Sequence, residues 1–152
     1  MITTLTLSPA AGSFPFPTKV LSLPSGTKVV LGSTEISPNA PRQSLRVATT
    51  SNGWFPPTQT EDNSISLVSP LPLSSAHAEI WSEGGRIFIR DLDSAFGTYV
   101  NGLRISKDAT LKAGDTISLG TRIARNAKTP AYITDFHLIP IIATVTPTNV
   151  SA

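Results

Sequence analysis

Ser74, Ser75, His77, Asp91 and Asp93 are the residues whose types could do chemistry, all within the stretch SSAHAEIWSEGGRIFIRDLDSAFGTYVN, residues 74–101. A serine nucleophile, a histidine base and an aspartate orienter would make a hydrolase. The spacing opposes this. On a strand, positions 75 and 77 share a face, yet a serine two residues from its base is poorly placed for proton transfer. No G-x-S-x-G elbow accompanies it, so a serine hydrolase is the most distant alternative and the chain is read as not an enzyme. Metal chemistry is no better served. The two histidines, His77 and His137, lie far apart, and no carboxylates cluster at ligand spacing. No glycine-rich phosphate loop precedes a helix. No metal or cofactor is expected.

The elements that would position these residues read as β-structure. The chain has 152 residues, enough for one domain with a full core. Thirteen prolines and many Ser/Thr-rich turns break the sequence, and no window sustains a 3.6-residue apolar period. Short β-branched runs between turns predict an all-β sandwich or barrel. KVLSL (19–23) and KVVLG (28–32) read as successive strands. In RIFIRDL (86–92), Ile87 and Ile89 share one face, and Arg86, Phe88 and Arg90 the other. Asn101-Gly102 within TYVNGLRI predicts a type I′ hairpin. LKAGDTISLG (111–120) adds a strand after its Gly-Asp turn, and AYITDFHLIPIIATV (131–145) the closing ones. Residues 1–14 are polar and small, and are read as an N-terminal tail, with 147–152 as a C-terminal tail. The body is 15–146. Within it, about 33–70 is rich in Pro, Ser, Thr and Asn and reads as a long insertion loop anchored by Trp54 and Phe55.

Charge narrows the partners. Twelve basic and ten acidic residues leave a net charge of +2, with no run of like charges. Nucleic acid would require a larger basic footprint. The absence of cysteine suits a reducing compartment. The first residues lack a signal-peptide pattern, and LIPIIATV (138–145) is far short of the roughly 20 residues that span a bilayer. An intracellular setting, cytoplasmic or nuclear, is expected, with no direct membrane contact in this segment.

The order Gly32, then Ser74-x-x-His77, then DLDSAFGTYVNG (91–102), then LKAGDTISLG (111–120) resembles the forkhead-associated (FHA) domain. The resemblance runs over roughly 18–145 and is densest from 74 to 120. The HAEIW wording, the long loop with NGWF and the extended end look most like one subgroup. It contains the sarcolemma-associated protein and fungal vacuolar-sorting relatives, which work in striatin-type phosphatase assemblies. The resemblance implies an FHA-type β-sandwich of two antiparallel sheets with a long loop insertion. Its loops at one end would hold a phosphothreonine peptide on a pre-formed site.

Residue by residue, the resemblance assigns Ser74 to the phosphate and Ser75 to the position beside it. His77 becomes a brace between loops. Thr98 and Asn101 join the phosphopeptide-binding set, and Gly32, Gly97 and Gly102 support it. Ser33 stands where the family has arginine, Phe96 where it has asparagine, and Ala95 lacks the polar group often found there. One lost hydrogen bond to a charged group costs about 1.5–3 kcal/mol, roughly ten- to hundredfold in affinity. Arg42 and Arg46 in the long loop are candidates to replace the missing cation. The expected function is therefore a non-catalytic protein-interaction module with weakened or lost phosphate binding. The alternative is a degenerate FHA domain that binds an unmodified protein partner as a scaffold.

Overall fold

A computed structural model describes residues 2–33, 36–37, 40–44, 48–55, 58–59, 67–68, 70–129 and 135–150. Its strands are β1 (Ile2–Pro9), β2 (Lys19–Leu23), β3 (Lys28–Ser33), β4 (Ile36–Ser37), β5 (Ala40–Ser44), β6 (Trp54–Phe55), β7 (Thr58–Gln59) and β8 (Leu67–Val68), followed by β9 (Ala78–Glu83), β10 (Arg86–Asp91), β11 (Thr98–Val100), β12 (Leu103–Arg104), β13 (Ala109–Leu111), β14 (Thr116–Leu119) and β15 (Ile141–Val150). One turn of 3-10 helix, Asp135–Leu138, precedes β15.

Two sheets form the sandwich. One runs β12-β11-β14-β15-β1-β2, the other β13-β10-β9-β3-β6. All their pairs are antiparallel except the two-residue contact of β3 with β6, which is parallel. The all-β, FHA-like sandwich expected from the sequence is the architecture present. Leu5, Leu7, Leu21, Leu23, Leu31, Ile80, Ile87, Ile89, Ile117, Leu119, Ile141, Ala143 and Val145 fill the space between the sheets. Each of the leucine, isoleucine and valine side chains contributes about 1.5–3 kcal/mol on burial. β10 shows the alternation read from its sequence, with Ile87 and Ile89 inside. Asn101 (φ 51°) and Gly102 (φ 81°) both take the left-handed conformation that a type I′ hairpin needs.

Two boundaries need correction. Residues 2–9, expected within a tail, form β1, which lies between β15 and β2. Thr3, Leu5 and Leu7 point inward from it. Threonine is β-branched and suits a strand, so a polar-looking segment can still be a central one. The C-terminal tail is also a strand over most of its length, because β15 pairs with β1 as far as Val150. Pro147 is tolerated there, since β14 pairs only with Ile141–Thr144, leaving β15 one neighbour at Pro147.

The stretch read as an insertion contains β4 to β8, with β4–β5 and β7–β8 as two small ribbons. Its 48–55 segment is tied to the core. Phe55 is fully buried and meets Phe16 edge-on, with ring centroids 5.1 Å apart. Lys19, buried on β2, donates from Nζ to the Thr49 carbonyl at 2.6 Å and lies 5.0 Å from the Phe55 ring centroid. Burial lowers its pKa to about 8. A Cβ on Gly53 would sit 2.0 Å from the Val30 carbonyl oxygen, so only glycine lets the segment pack this closely on β3.

Candidate functional site

One end of the sandwich gathers the end of β3, the segment 70–77 before β9, and the segment 92–97 between β10 and β11. His77 joins all three. Its backbone N–H donates to the Leu31 carbonyl and its own carbonyl accepts from Leu92 N–H, both at 2.9 Å. Its ring is fully buried. Nδ1 accepts the Ser74 backbone N–H at 3.0 Å. That bond requires the proton to be on Nε2, which donates to the Gly97 carbonyl at 2.8 Å. Burial pushes the His77 pKa below its ordinary value, against opposing pulls from the Gly97 carbonyl and Asp91. The ring is thus held neutral as a brace. Both nitrogens are committed to backbone groups, so His77 holds no serine hydroxyl for proton transfer.

Asp91 organises the 92–97 segment from below. Oδ1 accepts the Ser94 hydroxyl at 2.5 Å and the Thr98 hydroxyl at 2.7 Å. Oδ2 accepts Ser94 N–H at 3.2 Å. The Ser94 hydroxyl in turn accepts Gly97 N–H at 3.0 Å. Partial burial alone would raise the Asp91 pKa. The Ser94 and Thr98 hydrogen bonds and the neighbouring His77 outweigh it and hold the carboxyl below the ordinary value. Neither Asp91 nor Ser94 was singled out from the sequence for this role. The D-x-x-S spacing, an Asx-turn pattern, was the available signal.

Ser74 carries the polar contact at the surface. Its Oγ accepts Ala95 N–H at 3.2 Å and so links the two loops. Its carbonyl accepts Ser33 N–H at 3.2 Å. Ser75 is exposed, and its carbonyl lies so close to Gly32 that a Cβ there would be 2.0 Å from the oxygen. Ser33 is buried at the end of β3, while Ala95 and Phe96 are exposed, Phe96 to 38%. The structure therefore brings together Gly32, Ser33, Ser74, Ser75, His77, Ala95, Phe96 and Gly97.

Other expected contacts lie elsewhere. Thr98 is fully buried with its hydroxyl turned to Asp91, so it sits beneath the site rather than lining it. Asn101 and Gly102 are beyond the opposite end of β11. The Asn101 side chain binds the 115–116 turn, donating to Asp115 Oδ1 at 3.1 Å and accepting Thr116 N–H at 2.9 Å. Their task is the hairpin. Arg42 lies in β5, where only the backbone is described, and Arg46 is outside the described residues. Among the described residues, no group of three or more His, Cys, Asp or Glu side chains gathers where it could hold a metal ion. Nor is any helix among them long and apolar enough to cross a membrane.

The FHA domain family model matches residues 58–120, which hold Ser74, His77 and the whole 92–97 loop. Residues 58–120 carry the FHA pattern, and the two-sheet sandwich that contains them is FHA-like. FHA domains are protein-interaction modules of the phosphopeptide-binding class, typically without catalytic activity. The chain is 47% identical over 70 residues to vacuolar protein sorting-associated protein 64 of Saccharomyces cerevisiae. That match covers 43% of this chain and only 12% of the yeast protein. Among solved structures, the FHA domain of a Chlamydia trachomatis protein matches with a TM-score of 0.50 and 19% identity, over 99% of this chain and all of that one. Full-length yeast Pml1p matches with a TM-score of 0.52 and 15% identity, over 97% of this chain and 82% of that one. An FHA domain from Arabidopsis thaliana gives 0.51 and 17%, over 99% and 89%. At these identities the likeness is one of fold.

Proposed function

We infer that this FHA domain is a non-catalytic interaction module that holds a phosphothreonine-bearing protein partner at the loop face around Ser74, and holds it weakly. The observation that carries the reading is the state of the Ser74 hydroxyl. It accepts Ala95 N–H at 3.2 Å, which fixes the oxygen and leaves its own proton to donate to an incoming anion. The weakness comes from Ser33, whose short neutral side chain stands where the family's arginine would meet the phosphate. A second reading, an unmodified partner bound as a scaffold, draws on the exposed Phe96 (38%) and Leu71 (43%) near the same loops. The subgroup resemblance and the yeast relative favour an intracellular partner, with a striatin-type phosphatase assembly as the first candidate.

The test is calorimetric titration of a phosphothreonine peptide library against matched unphosphorylated peptides. Phosphate-dependent binding that falls at least tenfold in Ser74→Ala and strengthens in Ser33→Arg supports the phosphopeptide reading. Equal binding of both peptide forms, unchanged in Ser74→Ala, sinks it in favour of the unmodified partner.

A further inference from the structure

Arg104 reaches the loop face from the edge strand. On β12 it pairs with Tyr99, next to Thr98 and Gly97. Its side chain is laid over Gly97: a Cβ there would be 2.7 Å from Arg104 Nε, 3.1 Å from Cζ and 3.3 Å from Cδ. Gly97 has φ 85°, so glycine serves both the turn and the close approach. Arg90 shows the contrast. It is spent on Asp108 at 2.7 Å and on Glu79 at 3.3 Å. Arg104 is exposed and has no hydrogen-bond or ion-pair partner among the described residues.

The charges around Arg104 balance. Arg104 borders a shallow cleft of about 590 Å³ shared with Ser106, Lys107 and three aspartates. Asp108 is committed to Arg90. That leaves two carboxylates, Asp91 and Asp93, and two cations, Arg104 and Lys107, with no ion pair between them, and of the carboxylates Asp91 already accepts two hydroxyls, those of Ser94 and Thr98. The cleft adjoins the Ser74 contact, because Ala95 N–H binds Ser74 Oγ and Gly97 is two residues on, at most about 7 Å along the chain.

We propose that Arg104 is a specificity-determining contact whose guanidinium binds an oxyanion of the partner peptide, partly replacing the cation absent at Ser33. This rests on the reading that the peptide lies on the Ser74 loop face. The oxyanion has two sources within reach of a short extended segment: the phosphate of the phosphothreonine, or a carboxylate beside it. A planar guanidinium suits either through paired N–H donors.

The experiment uses the full chain and two synthetic phosphothreonine peptides, one with alanine and serine flanks and one with aspartate flanks. Wild type, Arg104→Gln, Arg104→Lys and Ser74→Ala are titrated between pH 5 and 8, with thermal melts alongside. Arg104→Gln is expected to weaken binding about tenfold or more without moving the melt, and Arg104→Lys to recover part of the loss. If the phosphate is the ligand, the loss appears with neutral flanks. Wild-type affinity then falls as pH drops through the phosphate's second pKa near 6, and this dependence flattens in Arg104→Gln. If a carboxylate is the ligand, the loss appears only with aspartate flanks and the pH dependence stays. Binding of both peptides by Arg104→Gln as tightly as by wild type, with Ser74→Ala still abolishing it, overturns the role of Arg104 alone. No preference for phosphate in wild type overturns both readings.

Discussion

Replacing His77 with alanine should cost more stability than any other single change on the loop face. The ring is fully buried, and its two nitrogens serve Ser74 N–H at 3.0 Å and the Gly97 carbonyl at 2.8 Å. After truncation the Gly97 carbonyl still accepts Gly120 N–H at 2.8 Å. Ser74 N–H is left without its partner, and an unsatisfied buried donor costs about 1–3 kcal/mol. The vacated volume adds a cavity cost of the kind that makes large-to-alanine changes worth about 2–5 kcal/mol. The two overlap, so about 3–5 kcal/mol is expected, against a total of about 5–15 kcal/mol for a typical domain. Urea unfolding at pH 7.5 measures it. His77→Gln, which keeps an amide of similar reach, should lose about half as much. The lowered pKa adds a second signature. As pH falls below about 6.5 the unfolded chain takes up a proton that the folded ring resists. The contribution is therefore complete above that pH and is lost as pH falls towards the folded value, by at most about 1.4 kcal/mol per pH unit. Wild type should weaken between pH 7.5 and 5, and His77→Gln should lack that component. A loss under about 1 kcal/mol in His77→Ala, or identical pH slopes in wild type and His77→Gln, would refute the brace.

Three further outcomes test the scaffold around it. Asp91→Asn should cost about 2–4 kcal/mol through weakened bonds from Ser94 and Thr98. Because the Asp91 pKa is held low in the fold, its contribution is present above about pH 4 and lost as pH falls further, so the stability gap between wild type and Asp91→Asn in urea unfolding should narrow as pH falls below about 4. Gly32→Ala should destabilise by about 1–3 kcal/mol and weaken peptide binding, since a Cβ 2.0 Å from the Ser75 carbonyl must displace the Ser74–Ser75 backbone; unchanged melting and binding would contradict the close approach. Lys19 is charged in the unfolded chain up to its ordinary pKa of 10.5 but gives up its proton at about 8 in the fold. Stability should therefore rise between pH 8 and 10.5, by about 1–2 kcal/mol after allowance for solvent screening, and Lys19→Met should abolish the rise in denaturation titrations.

Elements were readable where chemistry and geometry share one pattern. Ile87 and Ile89 alternate with charged residues, and Asn101-Gly102 fits a single turn type. β1 escaped because Thr4, Thr6 and Ser8 on its other face make the segment look polar, although Leu5 and Leu7 keep the strand period. β15 escaped in part because Pro147 reads as a stop, and only its missing neighbour on one side explains its tolerance. At the site, motif order located His77 and Ser74 but not the direction of side chains. Thr98 and Asn101 belong to the same motif as Gly97, yet one hydroxyl turns down to Asp91 and the other side chain crosses to the 115–116 turn. Arg104 gave no sequence signal because its place depends on a Cβ that Gly97 lacks.

That separation has a physical basis. The loop face is tied together by the His77 ring, the Asp91 carboxylate and backbone groups, with the Gly97 carbonyl accepting both His77 Nε2–H and Gly120 N–H. None of these bonds uses the side chains of Ser33, Phe96 or Arg104. Those three side chains add no hydrogen bond to the support of the loops. The bonds that support the loops and the side chains proposed to meet the phosphate therefore belong to different residues in the same few turns. On the function proposed above, Ser33 and Phe96 would reduce the affinity for phosphate while Arg104 would restore part of it. A single swap that moves affinity without moving the melt, Ser33→Arg upward or Arg104→Gln downward, is what this division of labour requires.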